Sequence, residues 1–145
     1  MSTVGAGQGG GAVLQGRDER QAQTHEWCVA AFGDHDARSV AQRGLRLAEE
    51  AIETAQACGC DAAMLHRLID HVYSKPVGEL AQELGGLGVT LLALAEAAGI
   101  SADDAEQLEL ARVRAIPLSH FAARNAAKKA AGFHVSAQNT GRAEE

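Results

Sequence analysis

An all-α fold is predicted for this 145-residue chain by three observations. Apolar residues recur at spacings of three and four along successive segments; glycine, proline and capping residues fall between those segments; and no stretch alternates apolar with polar residues as a strand would. The arrangement expected is a four- to five-helix bundle. Hydrophobic residues make up 46% of the chain, but much of that is alanine and aromatics are only 3%. A core built from such side chains is thin, so packing of helices across subunits, in a homodimer or homotetramer, is expected to complete it.

Met1 to about Arg20 is rich in Gly and shows no period, so 1–20 is expected to be a disordered tail. Within it Gly5, Gly7 and Gly10 match a dinucleotide-binding pattern in form, but that pattern needs a preceding strand, and the flexible-tail reading is preferred. A helical domain is expected over 21–132 and a flexible C-terminal tail over 133–145. Around His25 to Phe32 a short segment carries Trp27 and Phe32, and Gly33, Asp34 and Asp36 then read as a turn with capping acids. A long helix is expected from about Asp36 to Ala57, with Leu45, Ala48, Ile52 and Ala55 as its apolar stripe and Gly59 as its stop. Asp61 can cap a second helix through Leu65, Leu68, Ile69 and Val72, which ends before Pro76. Pro76 suits the first turn of a third helix reaching Ala98, before Gly99. Ser101, with Asp104 three residues on, starts a fourth, and Pro117 separates it from a final basic helix.

Gly85, Gly86 and Gly88 lie inside the third helical pattern, where each costs about 1 kcal/mol relative to alanine. Either a neighbouring helix or substrate approaches the backbone there, or the helix breaks.

The net charge of -6 argues against nucleic acid as a partner. No apolar run approaching a membrane span is evident, and the start of the chain lacks the basic-then-apolar order of a secretory signal. A cytoplasmic protein with no membrane partner is expected, with Cys28, Cys58 and Cys60 as reduced thiols.

The chemistry-bearing features are two acidic clusters on helical segments, Glu49, Glu50 and Glu53 in the first and Glu79 and Glu83 in the second. Residues three or four apart share a helix face, so Glu50 with Glu53, and Glu79 with Glu83, each form a half-site for a hard cation. Antiparallel packing of the two helices would join the half-sites and point to magnesium chemistry on a phosphorylated substrate. A solvated face is the alternative for any such carboxylates. Arg43 and Arg46 can contact phosphates or pair with the neighbouring acids. Arg124, Asn125, Lys128 and Lys129 form a basic cluster that suits a triphosphate, or an exposed helix end. Trp27 can stack on a base or fill the core.

Trp27 and Phe32-Gly33, followed by RGLRLAEEAIETAQACG, RLIDHVYSKPVGELAQELGGLGVTLLALAEAAGI and ELARV, give the chain a resemblance to the MazG-like nucleoside triphosphate pyrophosphohydrolases over roughly 26–129. The resemblance implies an oligomeric α-helical bundle in which an ExxE and an ExxD motif hold Mg2+ or Mn2+ while water displaces pyrophosphate from a (deoxy)nucleoside triphosphate. On this chain it assigns Glu50, Glu53 and Glu83 as metal ligands. Gly86 stands where the last aspartate is expected, and Glu79, one turn before Glu83, is its substitute. Glu49 or Glu53 is the candidate general base. Trp27, Arg46, Arg124, Asn125 and Lys128 are the candidate substrate contacts. Phosphoribosyl-ATP pyrophosphohydrolase activity and a catalytically weak nucleotide-binding or scaffold role are the alternatives.

Overall fold

The computed structural model of the protein describes residues 16–135. Seven α-helices account for most of this span: α1 (Arg17–Phe32), α2 (Asp34–Arg38), α3 (Val40–Ala57), α4 (Ala62–Tyr73), α5 (Leu80–Ala98), α6 (Ala102–Ala115) and α7 (Leu118–Ala130). The described residues contain no strand, so the all-α expectation holds. The Gly5, Gly7 and Gly10 pattern lies outside them.

Three helix starts follow from side-chain caps. The carboxylate of Asp61 accepts from the Met64 amide at 2.7 Å, and the Ser101 hydroxyl accepts from Asp104 at 3.1 Å, both as the sequence implied. The third cap corrects an expectation. The helix read as continuous from Asp36 to Ala57 is two, α2 and α3, because Ser39 takes an extended backbone and its hydroxyl accepts from the Gln42 amide at 3.2 Å. Gly33 makes the preceding corner, between α1 and α2, with φ +85, a conformation that a side chain would strain.

Two further boundaries differ. α1 begins at Arg17, inside the segment expected to be a tail, with Asp18 and Glu19 in its first turn where they favour the helix dipole. Arg20 is buried and ties α1 to α6 through Asp103 at 2.6 Å and Glu106 at 2.8 Å. α5 begins at Leu80 rather than Pro76, so residues 76–79 form an irregular connection. From there α5 runs unbroken through Gly85, Gly86 and Gly88, which excludes a helix break at the glycines.

α1 is the hub, packed on α2, α6 and α7, while α2 packs on α3 and α5 on α6. The core beneath it is small: Cys28, Ala31, Ala37 and Phe121 are its buried apolar residues. Trp27, Phe32 and Phe121 meet edge to face, with centroids 5.0 Å apart for Trp27–Phe121 and 5.4 Å for Trp27–Phe32. Asp36 is buried at the junction of α2 and α7, where Asn125 at 3.2 Å and Lys129 at 3.1 Å donate to its Oδ2. Beyond α7 the chain turns back on α3. The Val135 amide donates to the side chain of Gln42 at 2.9 Å, and Arg46 donates to the Phe133 carbonyl, so residues 133–135 of the expected tail are tied down.

A basic cleft between three helices

A cleft of about 210 Å³ opens between α3, α6 and α7, with the C-terminal end of α1 as its floor. Helical spacing sets its lining. Arg43, Arg46 and Glu50 follow one another at three and four residues on α3, and Phe121, Arg124, Asn125 and Lys128 do the same on α7. α6 contributes Glu109, Arg112 and Val113, and α1 contributes Trp27 and Phe32. Five cationic side chains thus face three acidic ones across an aromatic floor.

Within that charge balance the acids are not equivalent. Glu49 is held between Lys128 at 2.8 Å and Arg46 at 2.7 Å. The hydrogen bond from Lys128 does most to hold its carboxyl below the usual range, against some opposition from burial. Glu109 is held by a two-pronged contact from Arg112, at 2.7 and 2.6 Å, and lies below its usual range for that reason. The Glu50 carboxylate has no hydrogen-bonded partner among the described residues, and its charge reaches Arg112. The cations differ likewise. Arg43 sits over the Phe32 ring at 5.2 Å from its centroid and donates to the Cys28 sulfur, whereas Arg124 has no ion pair among the described residues. Burial pushes the Cys28 thiol up, partly offset by Arg43.

Three buried donors of the lining, Trp27 Nε1, Arg43 Nε and Arg46 Nε, have no acceptor among the described residues. A buried donor left without an acceptor costs about 1–3 kcal/mol, so such groups call for water or an anionic oxygen. The cleft can therefore do two things chemically: neutralise a polyanion and cover one face of a planar ring.

All five substrate-contact candidates, Trp27, Arg46, Arg124, Asn125 and Lys128, line this cleft. Asn125 and Lys128 also have structural partners in Asp36 and Glu49. Sequence reasoning missed the aromatic floor of Phe32 and Phe121 and the Glu109–Arg112 pair, for which the i,i+3 spacing of acid and arginine was the available signal. It weighed Arg43 for phosphate but did not place it over the Phe32 ring.

The acidic clusters do not meet as expected. Glu50 reaches the cleft and Glu53, one turn on, is exposed outside it. Glu79 and Glu83 are exposed at the start of α5, and α5 packs on α6 rather than on α3. Nor do those two share a helix face: Glu79 is the extended residue before α5, and the side chain of Glu83 folds back over Gly78, where a Cβ would collide with it. Glu49, considered as a general base, sits in two ion pairs that lower its proton affinity, opposite to the tuning a base needs. Among the described residues no three His, Cys, Asp or Glu side chains gather as a cation site. Glu50 and Glu53, one turn apart on α3, are the pair that would hold Mg2+, since that ion keeps several waters and takes one or two carboxylates together with substrate phosphates.

No protein-family model matches this chain, and neither the curated proteins nor the solved structures compared with it give a match.

Proposed function

We propose that the chain is a metal-dependent pyrophosphohydrolase of (deoxy)nucleoside triphosphates, of the MazG-like type, with the basic cleft as its nucleotide site. The observation that carries this reading is the cleft's composition: Arg43, Arg46, Arg112, Arg124 and Lys128 around an aromatic floor, with Glu50 among them. Polyphosphate is the common metabolite chemistry that needs several cations beside a ring-binding surface. At about 210 Å³ the cleft is below the roughly 300–1,000 Å³ that encloses a whole small molecule. It therefore takes one end of the nucleotide and leaves the other toward solvent.

Arg124, which has no ion pair in the described chain, is the residue first placed to meet phosphate oxygens, and Arg112 can exchange Glu109 for them. Glu50 and Glu53 would hold Mg2+ or Mn2+, which when bound neutralises phosphate charge and lowers the pKa of water. Glu53, exposed and one turn from Glu50, is the better placed of the two candidate bases because Glu49 is tied to Lys128 and Arg46. A cytoplasmic site of action accords with three free thiols.

A second reading is favoured by the distance in the fold between Glu79–Glu83 and Glu50–Glu53: nucleotide binding without turnover, in a regulatory or scaffold role. One experiment separates them. Pyrophosphate release is measured from a panel of ribo- and deoxyribonucleoside triphosphates with Mg2+ or Mn2+, and nucleotide binding is measured in parallel. Metal-dependent release that is lost in Glu50→Gln, with binding lost in Arg124→Ala, is the expected result. Binding without release supports the second reading, and neither binding nor release refutes both.

A further inference from the structure

Beyond α7 the chain closes on one wall of the cleft. Gly132, at φ +86, takes the left-handed conformation that ends a helix, and the Gly132 and Phe133 amides donate back to the Lys129 and Lys128 carbonyls at 3.1 and 2.9 Å. That reversal lays residues 133–135 along the first turns of α3. There the Val135 amide donates to Gln42 Oε1 at 2.9 Å, and the Phe133 carbonyl accepts from Arg46 Nη2. Arg46 Nη1 donates to Glu49 at 2.7 Å, and Glu49 accepts in turn from Lys128 at 2.8 Å. These contacts form a closed ring through α3, α7 and the returning segment. The helix α5, long and apolar enough to span a membrane, contrary to the sequence-based expectation that no run approaches one, takes no part in it.

Two features give the ring a purpose other than closing the fold. Gln42, at 1% exposure, is the most deeply buried of the described residues. Its Nε2 has no acceptor among the described residues, so an apolar side chain of similar size would fill the position at less cost. What only a side-chain oxygen can do there is fix where residues 133–135 lie, and hence where the Phe133 carbonyl meets Arg46. The second feature is Arg46 itself. It lines the cleft and is held at both terminal nitrogens before any ligand arrives, while the guanidinium keeps further N–H groups for an incoming oxygen, among them the buried Nε. A free arginine loses rotamer freedom when it binds phosphate. One that is already held has lost that freedom on folding, which raises affinity by up to about tenfold.

We propose that Gln42 and the 133–135 segment are positioning elements of the nucleotide site, which together hold Arg46 as a preset phosphate contact. Their effect on the ligand passes through Arg46 alone. The inference rests on the nucleotide-binding reading of the cleft, with or without turnover.

Isothermal titration calorimetry on the full chain tests it, first with the panel of ribo- and deoxyribonucleoside triphosphates and then with the tightest binder among them. Val135→Pro deletes the amide donor beyond the last helix, and Gln42→Leu deletes its acceptor. Each is expected to weaken binding about three- to tenfold. In an Arg46→Ala background, itself weaker, neither should weaken binding further. A segment that only stabilised the fold would lower the urea midpoint in both backgrounds and leave affinity unchanged. Unchanged affinity in Val135→Pro overturns the proposal even where Gln42→Leu does not fold. An equal loss with and without Arg46 overturns it too, because the segment then acts through another group, and tighter binding overturns it in favour of a segment that competes with the ligand for Arg46. A wild type that binds no triphosphate of the panel refutes the nucleotide reading itself, and the proposal with it, before any variant is made.

Discussion

Asp36 shows how much a single carboxylate can carry in a fold with so small a core. Burial alone would raise its pKa, but hydrogen bonds from Asn125, Lys129 and His35, with the charge of Lys129, bring it down from 3.8 to about 2. The folded state thus holds the ionised form more tightly than the unfolded chain does. Its contribution, about 2 kcal/mol, is present above pH 4 and is lost as pH falls toward 2. Urea midpoints across that range should fall steeply for the wild type and less steeply, from a lower starting point, for Asp36→Asn, in which Glu49 and Glu109 still contribute. A second residue-scale prediction concerns the thiols: with Cys58 exposed and Cys28 buried and raised, a thiol reagent should modify Cys58 at once and Cys28 only on unfolding. A rapid reaction at both would contradict the packing of α1. At this scale the cleft was half legible. Arg124, Asn125 and Lys128 announce a shared face by their spacing, whereas Glu109 and Arg112 look in sequence like any solvated pair, and only the packing of α6 and α7 on α1, which brings both to the cleft, gives them a role.

Among the elements, the ends were read better than the interruptions. Asp61 and Ser101 stand directly before apolar periodic runs and are visible as caps. Ser39 is hidden because helical spacing continues on both sides of it and the break takes one residue. Replacing Ser39 by alanine removes the acceptor for the Gln42 amide and should cost about 1 kcal/mol, seen as a lower chemical midpoint with an unchanged slope. Pro76 misled for a related reason: proline is favoured in a first helical turn, but Gly78 follows two residues on and the helix waits until Leu80. The start of α1 was hidden by composition. Residues before Arg20 have a polar, glycine-rich sequence, and what holds Arg17–Arg20 in a helix is the pairing of Arg20 with Asp103 and Glu106, more than 80 positions away.

For the whole molecule, stability is divided between a proximal unit centred on α1 and an α4–α5 arm with no interior of its own. Hydrogen exchange should separate them. Amides of α1 are expected to be the best protected, while those of α4 and α5, which bury no residue, are expected to exchange far faster in a dilute sample. Equal protection of all helices in a dilute sample would refute that division. An all-α fold was therefore readable from periodicity, but the separation of Glu50 and Glu53 from Glu79 and Glu83 was not, because spacing along a chain says which residues share a face and not which helices meet.

The chain has one tryptophan, and it lies in the cleft floor against Phe32 and Phe121, its ring nitrogen without an acceptor among the described residues. An optical signal thus originates where a ligand would sit. Emission from Trp27 can be followed during titration with unlabelled nucleotide, so occupancy of the cleft can be read continuously in the native protein, without a probe that would itself compete for the space.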